Sequence, residues 1–216
     1  MLSISGTTGQ PKGIQHSAKL CRYLLYSMSQ RKVSASTQMS TTCFFHAAGF
    51  VSVLDLCMIR HTWIFNPGTD LNDQNSSQIF YREIDLFKPT VLIFGSHHCV
   101  LLANEGPKDK NLDLSSVLLI LAMGSTVPLT LETDLKKSIP CLMGVCQGYA
   151  MTEILSLIAL SFDVSVLGAV APDSIVKIVN PENGKLCGPG EVGEVLVKGP
   201  GIMKGNFGFP FSYDSM

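Results

Sequence analysis

Apolar and polar positions follow two periods along this chain, and the switches between them mark its elements. Ser17–Met28 sets Leu20, Tyr23 and Leu24 on one side at helical spacing. Gln30–Ser36 is polar and turn-like. Gln38–Phe45 alternates and is rich in β-branched residues, which predicts a strand. Gly49–Ile59 is apolar nearly all round and predicts a buried helix. His61–Phe65 is a short strand closed by Pro67-Gly68. Ser77–Phe87 is an amphipathic helix, with Ile79, Phe80, Ile84 and Phe87 on one side and Lys88-Pro89 as its stop. The rhythm then repeats: strand Thr90–Phe94, helix His97–Asn104, strand Val117–Met123, helix Thr130–Lys137 capped from Thr130, strand Cys141–Cys146. Near-continuous apolar strands alternating with helices predict an α/β fold, a layered, mostly parallel sheet with helices on both faces.

The pattern changes after about Leu160. Val164–Ala171, Ile175–Val179 and Val192–Lys198 are short and separated by Pro, Asn and Gly turns. They predict antiparallel hairpins, part of a small β-barrel. The expected division is an α/β subdomain over residues 1–162, a hairpin subdomain over 163–208 and a divergent tail over 209–216.

Composition narrows the function. Of 216 residues, 46% are hydrophobic and 15% charged, enough apolar content for a real core. A formal net charge of −1 gives no electrostatic reason to bind nucleic acid or an anionic membrane. No apolar run reaches the ~18 residues of a transmembrane helix, and no signal peptide is visible. The seven cysteines have no C-x-x-C or metal-ligand spacing, so an intracellular protein with reduced thiols is expected. Cytoplasm, peroxisome and mitochondrion all stay open.

Candidate chemistry begins at Ser5-Gly6-Thr7-Thr8-Gly9-Gln10-Pro11-Lys12-Gly13. Glycines let backbone N–H groups approach an anion, hydroxyls add neutral donors and Lys12 adds a point charge. The expected role is to wrap a polyphosphate; the plain alternative is a surface turn with an exposed lysine. The stretch is not the G-x-x-x-x-G-K-[ST] loop of nucleotide hydrolases, since Gly13 follows the lysine. A second cluster, Gln147-Gly148-Tyr149-Ala150-Met151-Thr152-Glu153, ends a predicted strand and is expected to open a helix. Tyr149 can stack on a base, Thr152 can donate to a phosphate, and Glu153 offers a hard oxygen to Mg²⁺. Taken alone, Thr-x-Glu is an ordinary helix start.

Together the two clusters resemble signatures of the adenylate-forming (AMP-binding) superfamily, which includes acyl-CoA synthetases, luciferases and peptide adenylation domains. S-G-T-T-G-x-P-K-G is similar to its phosphate-binding loop, with His16 fitting the continuation. Tyr149–Glu153 is similar to Y-G-x-T-E, with Ala150 in place of glycine. Phe44–Phe50 is similar to F-H-x-x-G, whose histidine and small neighbours border the acyl pocket; alone it is a core turn with a satisfied histidine. Met123–Leu129 is similar to the stretch that lies along adenosine and acyl group; alone it is a strand-to-helix loop. Gly190–Gly205 is similar to the mainly structural G-E-x-G-E-I element, and Asn206 replaces a common tyrosine. His97-His98 matches no motif and is assigned a structural or surface role.

The resemblance spans roughly Ser3 to Gly205 and implies an ATP-dependent carboxylate–CoA ligase. ATP, Mg²⁺ and CoA would be used, and a fatty acid activated through an acyl-adenylate. Ser5, Gly6, Thr7, Thr8, Gly9, Lys12, Gly124, Ser125, Thr126, Gln147, Gly148, Tyr149 and Thr152 would bind the nucleotide. Thr152 and Glu153 would be catalytic, Glu153 and Thr8 would serve the metal, and His46, Ala47 and Gly49 the acyl group. Set against that pattern, the chain is expected to be a partial one, truncated at both ends and not catalytic alone. A non-catalytic nucleotide- or partner-binding remnant and an aryl-CoA ligase or luciferase-like relative are the alternatives.

Overall fold

The computed structural model describes residues 2–4, 12–29, 36–44, 46–59, 61–66 and 75–207. Its central feature is a sheet ordered β4-β3-β5-β6-β7-β8-β9. β3 (Thr37–Ser40), β4 (Thr62–Phe65), β5 (Val91–Gly95), β6 (Leu119–Met123) and β7 (Gly144–Met151) pair in parallel. β8 (Ser156–Ser161) adds antiparallel to β7, and β9 (Ala169–Val170) adds antiparallel to β8. The sheet thus runs past residue 162, the expected subdomain boundary.

Three helices cover one face: α3 (Ser76–Phe87), α4 (Ser96–Glu105) and α5 (Leu131–Lys136). Phe80, Tyr81, Ile84, Cys99, Leu102, Leu131 and Leu135 pack with Leu92, Phe94, Ile120, Ala122 and Val145 in one core. The buried side of α3 is rotated from the expected one: Tyr81 is inside, donating its hydroxyl to Leu102 O at 2.7 Å, while Phe87 is exposed. Lys88 ends α3 in the left-handed region at φ 49°, its N–H on Ile84 O, and Pro89 cannot extend the helix. Thr130 does not cap α5 with its side chain. Glu132 instead ties that helix to the start of β7, accepting Val145 N at 3.1 Å.

α1 (Ala18–Ser29) and α2 (Ala47–Ile59) form a second cluster. Leu20 and Leu24 bury the expected face of α1 against Ala47 and Leu155, each worth about 2 kcal/mol of apolar transfer. α2 joins β3 to β4, whereas α3, α4 and α5 join strands that run the other way across the sheet. Right-handed crossovers therefore place α2 on the opposite face. On that face of β5 and β6, Val91, Ile93, Leu119 and Leu121 are half-buried.

Two smaller sheets complete the chain. β10 (Ile175–Val179) and β11 (Glu194–Lys198) form the expected antiparallel hairpin. β2 (Lys12–Gln15) lies between β1 (Leu2–Ile4) and β12 (Gly205–Asn206). No helix among the described residues is long and apolar enough to cross a membrane.

Candidate functional site

Strand order reverses between β3 and β5, and open parallel sheets take ligands at the carboxyl ends of strands beside such a reversal. At that point Thr41 Oγ1 accepts Gly95 N and meets His98 Nδ1, both at 3.4 Å. His98 is buried and edge-on to Phe80 and Phe94. Burial pushes its pKa down to about 4, so it is neutral and structural. His97 is exposed and packs on its ring.

β5 turns directly into α4, and Ser96 is the first helical residue. Its Oγ lies 2.6 Å from Ser125 O and 3.1 Å from Met123 O, which fixes the loop after β6. Gly124 adopts φ 102°, a conformation that favours glycine, and Gly124, Ser125 and Thr126 are all exposed there. The next strand brings Gln147, Gly148 and Tyr149 alongside. Gln147 is buried, and its Oε1 has no hydrogen-bond partner among the described residues. Tyr149 is half-buried at a register shift in the β7–β8 ladder.

The expected helix after Tyr149 is absent. β7 continues to Met151, because Ala150 and Met151 pair with Leu157 and Ser156. Thr152–Leu155 is a turn in which Ile154 N and Leu155 N both donate to Met151 O at 3.1 Å. Leu155 sits at φ 50°, unusual for a branched side chain, and is held by burial against Leu20, Leu24 and Ala47. Thr152 and Glu153 are half-buried on this turn. Ala150 is exposed with φ outside the left-handed region, so its methyl group strains nothing.

The strand that follows the first motif reaches the same edge. His16, just past β2, places Nε2 2.9 Å from Thr152 O. Met203 N donates to Glu153 O, Lys204 N to Gln15 O and Phe207 N to Gly13 O, each at 2.7 Å. Residues 203–207 are thus a seam between β2 and the Thr152–Glu153 turn. Ser5, Gly6, Thr7, Thr8 and Gly9 lie outside the described residues, as does the Lys12 side chain; Ile4 pairs with Lys12, so the points flanking residues 5–11 are neighbours. Burial lowers the His16 pKa, opposed by its bond to the Thr152 carbonyl.

The acyl-pocket residues are placed differently from expectation. β3 stops at Ser40, and Thr42 N turns back onto Ser40 Oγ at 3.2 Å. His46 is exposed and accepts Ala48 N at Nδ1, 3.2 Å, opening α2. Ala47 packs into the α1–α2 cluster. A Cβ at Gly49 would collide with the Cys43 carbonyl, so the missing side chain makes room for the protein's own backbone. Close to His46 in the chain, Phe44 packs tilted against Phe65 with ring centroids 4.0 Å apart, and Phe65 stacks on Trp63 at 5.5 Å. Sequence reasoning missed Thr41, Ser96 and the His16 contact. A Gly-Ser step at a strand end is a usable signal for Ser96; the other two carry none.

Two cavities lie elsewhere, about 130 Å³ beside Gln78, Arg82 and Lys108 and about 300 Å³ beside Pro107, Leu112 and Lys137. They share no residue with the strand-end edge.

A model of the AMP-binding enzyme family matches residues 5–207. Acyl-CoA synthetase 7 of Caenorhabditis elegans is 29% identical over 93% of this chain and 38% of its own length. 4-Coumarate–CoA ligase-like 8 of Arabidopsis thaliana is 26% identical over 96% of this chain and 38% of its own. The chain therefore spans well under half of these relatives. The crystal structure of a long-chain-fatty-acid–CoA ligase from Archaeoglobus fulgidus shares the fold, with TM-score 0.80 at 21% identity over 95% of this chain and 43% of that one. The matched family model, the order of the motifs and the shared fold make this chain a member of the AMP-binding enzyme family, within the adenylate-forming superfamily.

Proposed function

We propose that this chain supplies the nucleotide and acid site of an ATP-dependent carboxylate–CoA ligase. The observation that carries the reading is the His16 Nε2 to Thr152 O contact of 2.9 Å, which sets the continuation of the Gly/Ser/Thr/Lys strand against the Thr-Glu turn. One triphosphate then reaches both. Backbone N–H groups and hydroxyls of the first motif, with Lys12, hold the β and γ phosphates. Thr152 donates to the α-phosphate. The exposed Gly124–Thr126 loop runs along the nucleoside, and the buried Gln147 Oε1, unpartnered among the described residues, accepts from a base amino group.

The donor set fits magnesium: Glu153 presents a hard oxygen, with Thr8 as the expected second contact. Among the described residues no three acidic, His or Cys side chains converge, so Glu153 would hold the ion together with the nucleotide rather than as part of a protein-only site. Bound there, Mg²⁺ supplies positive charge against the phosphates. The substrate carboxylate attacks the α-phosphorus, the bond to pyrophosphate breaks, and an acyl-adenylate forms. The CoA thiol then attacks the acyl carbon and AMP leaves.

A fatty acid is the proposed acid, in keeping with the acyl-CoA synthetase relative. A flat aryl acid is the second reading, favoured by the Phe44–Phe65–Trp63 step close to His46 in the chain. Carboxylate-dependent exchange of pyrophosphate into ATP by the whole protein tests the function. Exchange with fatty acids supports the first reading, exchange with cinnamic acids alone the second. No exchange across the panel rejects both.

A further inference from the structure

His16 belongs to neither motif, yet it follows the first closely in the chain and contacts the second. It follows β2, the strand that begins at Lys12, and its Nε2 meets the carbonyl of Thr152, 136 residues away. A carbonyl only accepts, so Nε2 carries the proton and Nδ1 keeps a lone pair. That Nδ1 is buried with no partner among the described residues. The His16 ring is half-buried, but a buried ring nitrogen left unsatisfied is costly, and the cost is tolerated where the other nitrogen fixes something. What it fixes is the spacing of two phosphate-binding elements. The β12 seam also joins them, through backbone bonds at Gln15 and Glu153, but it approaches by way of residues 202–204, which have no regular structure. The imidazole is the direct strut.

We propose that His16 is a positioning residue that locks β2, the strand that begins at Lys12, to the Thr152–Glu153 turn, so that nucleotide contacts made from the two elements keep a fixed spacing. The proposal rests on the nucleotide reading above. Its consequence is selective. A ligand that touches one element does not sense their spacing, whereas ATP spans both and does.

The test is calorimetry of this chain with Mg-ATP, AMP and pyrophosphate, using the parent, His16→Leu and His16→Gln. The glutamine amide places an N–H where Nε2 stands. His16→Leu should bind ATP about tenfold more weakly, the worth of one well-placed hydrogen bond, with AMP and pyrophosphate within about twofold of the parent. His16→Gln should recover ATP binding to within about threefold of the parent. Binding of the two small ligands also reports that the leucine variant is folded. Equal weakening of all three ligands, or ATP affinity unchanged in His16→Leu, overturns the strut while leaving the nucleotide reading intact. A parent that binds none of the three overturns the nucleotide reading and the strut with it.

Discussion

Ser96 Oγ stands 2.6 Å from the carbonyl oxygen of Ser125, tying the first turn of α4 to the loop that follows β6. The same oxygen faces Ser125 N at 3.4 Å and Met123 O at 3.1 Å, so one buried hydroxyl holds the loop from both sides. Ser96→Ala should cost about 1 kcal/mol of stability by denaturant unfolding. It should also weaken Mg-ATP binding, since the Gly124–Thr126 loop loses its anchor. Unaltered ATP affinity with lowered stability would remove that loop from the nucleotide site.

Gly49→Ala should destabilise the protein by about 1–3 kcal/mol. The added methyl group meets the Cys43 carbonyl and lies 3.0 Å from Phe44 Cα, and backbone cannot swing aside as a side-chain tip can. A shift in the denaturant midpoint measures it. A variant as stable as the parent would mean that the 43–46 turn yields easily.

His98 makes stability depend on pH. Its folded pKa of about 4 lies below the unfolded value of 6.5. Above pH 6.5 both states are neutral and the term is flat. Between 6.5 and 4 the unfolded chain takes up a proton that the folded chain refuses, so stability falls as pH falls, by at most about 3 kcal/mol. Below 4 both states are protonated and the loss stops growing. His98→Asn, which keeps a polar atom near Thr41 but cannot titrate, should flatten this part of the curve. Parallel curves for parent and variant would contradict the assignment.

Lys12→Ala and Thr8→Val should each weaken Mg-ATP binding, by about 1.5–3 kcal/mol where the lost contact is charge-assisted. Calorimetry of each variant reads the loss directly. Unchanged affinity in both would rule out the first motif as the phosphate loop.

Ala150→Gly should not help. The residue is exposed at the β7–β8 irregularity with an unstrained backbone, so glycine adds only unfolded-state freedom and costs about 0.5–1 kcal/mol. A tenfold gain in ATP affinity would show instead that the methyl group crowds the nucleotide.

These expectations draw unequally on the sequence. Local periodicity was enough for α1, whose Leu20 and Leu24 are inside, and for β5 and β6, which begin within two residues of the predicted positions. It was not enough at Tyr149–Glu153. Continuation of β7 depends on Ser156 and Leu157 folding back beside it, and Leu155 makes the turn with a left-handed backbone that no glycine or asparagine announces. Tertiary pairing overrides local preference there. At Gly49 a small residue signals close approach, and the fold shows that the Cys43 carbonyl is what approaches it. The contact of His16 with Thr152 had no local trace, because nothing near either residue points to the other.

The strand that starts at Lys12 takes partners from both extremes of the described chain, Leu2–Ile4 on one side and Gly205–Asn206 on the other. The second of these follows the whole parallel sheet in sequence, so β2 gains both neighbours only when the segments on either side of that sheet meet. Such a pairing carries a high loop-closure entropy, which makes the three-stranded sheet a slow, non-local step compared with the local strand–helix units it joins.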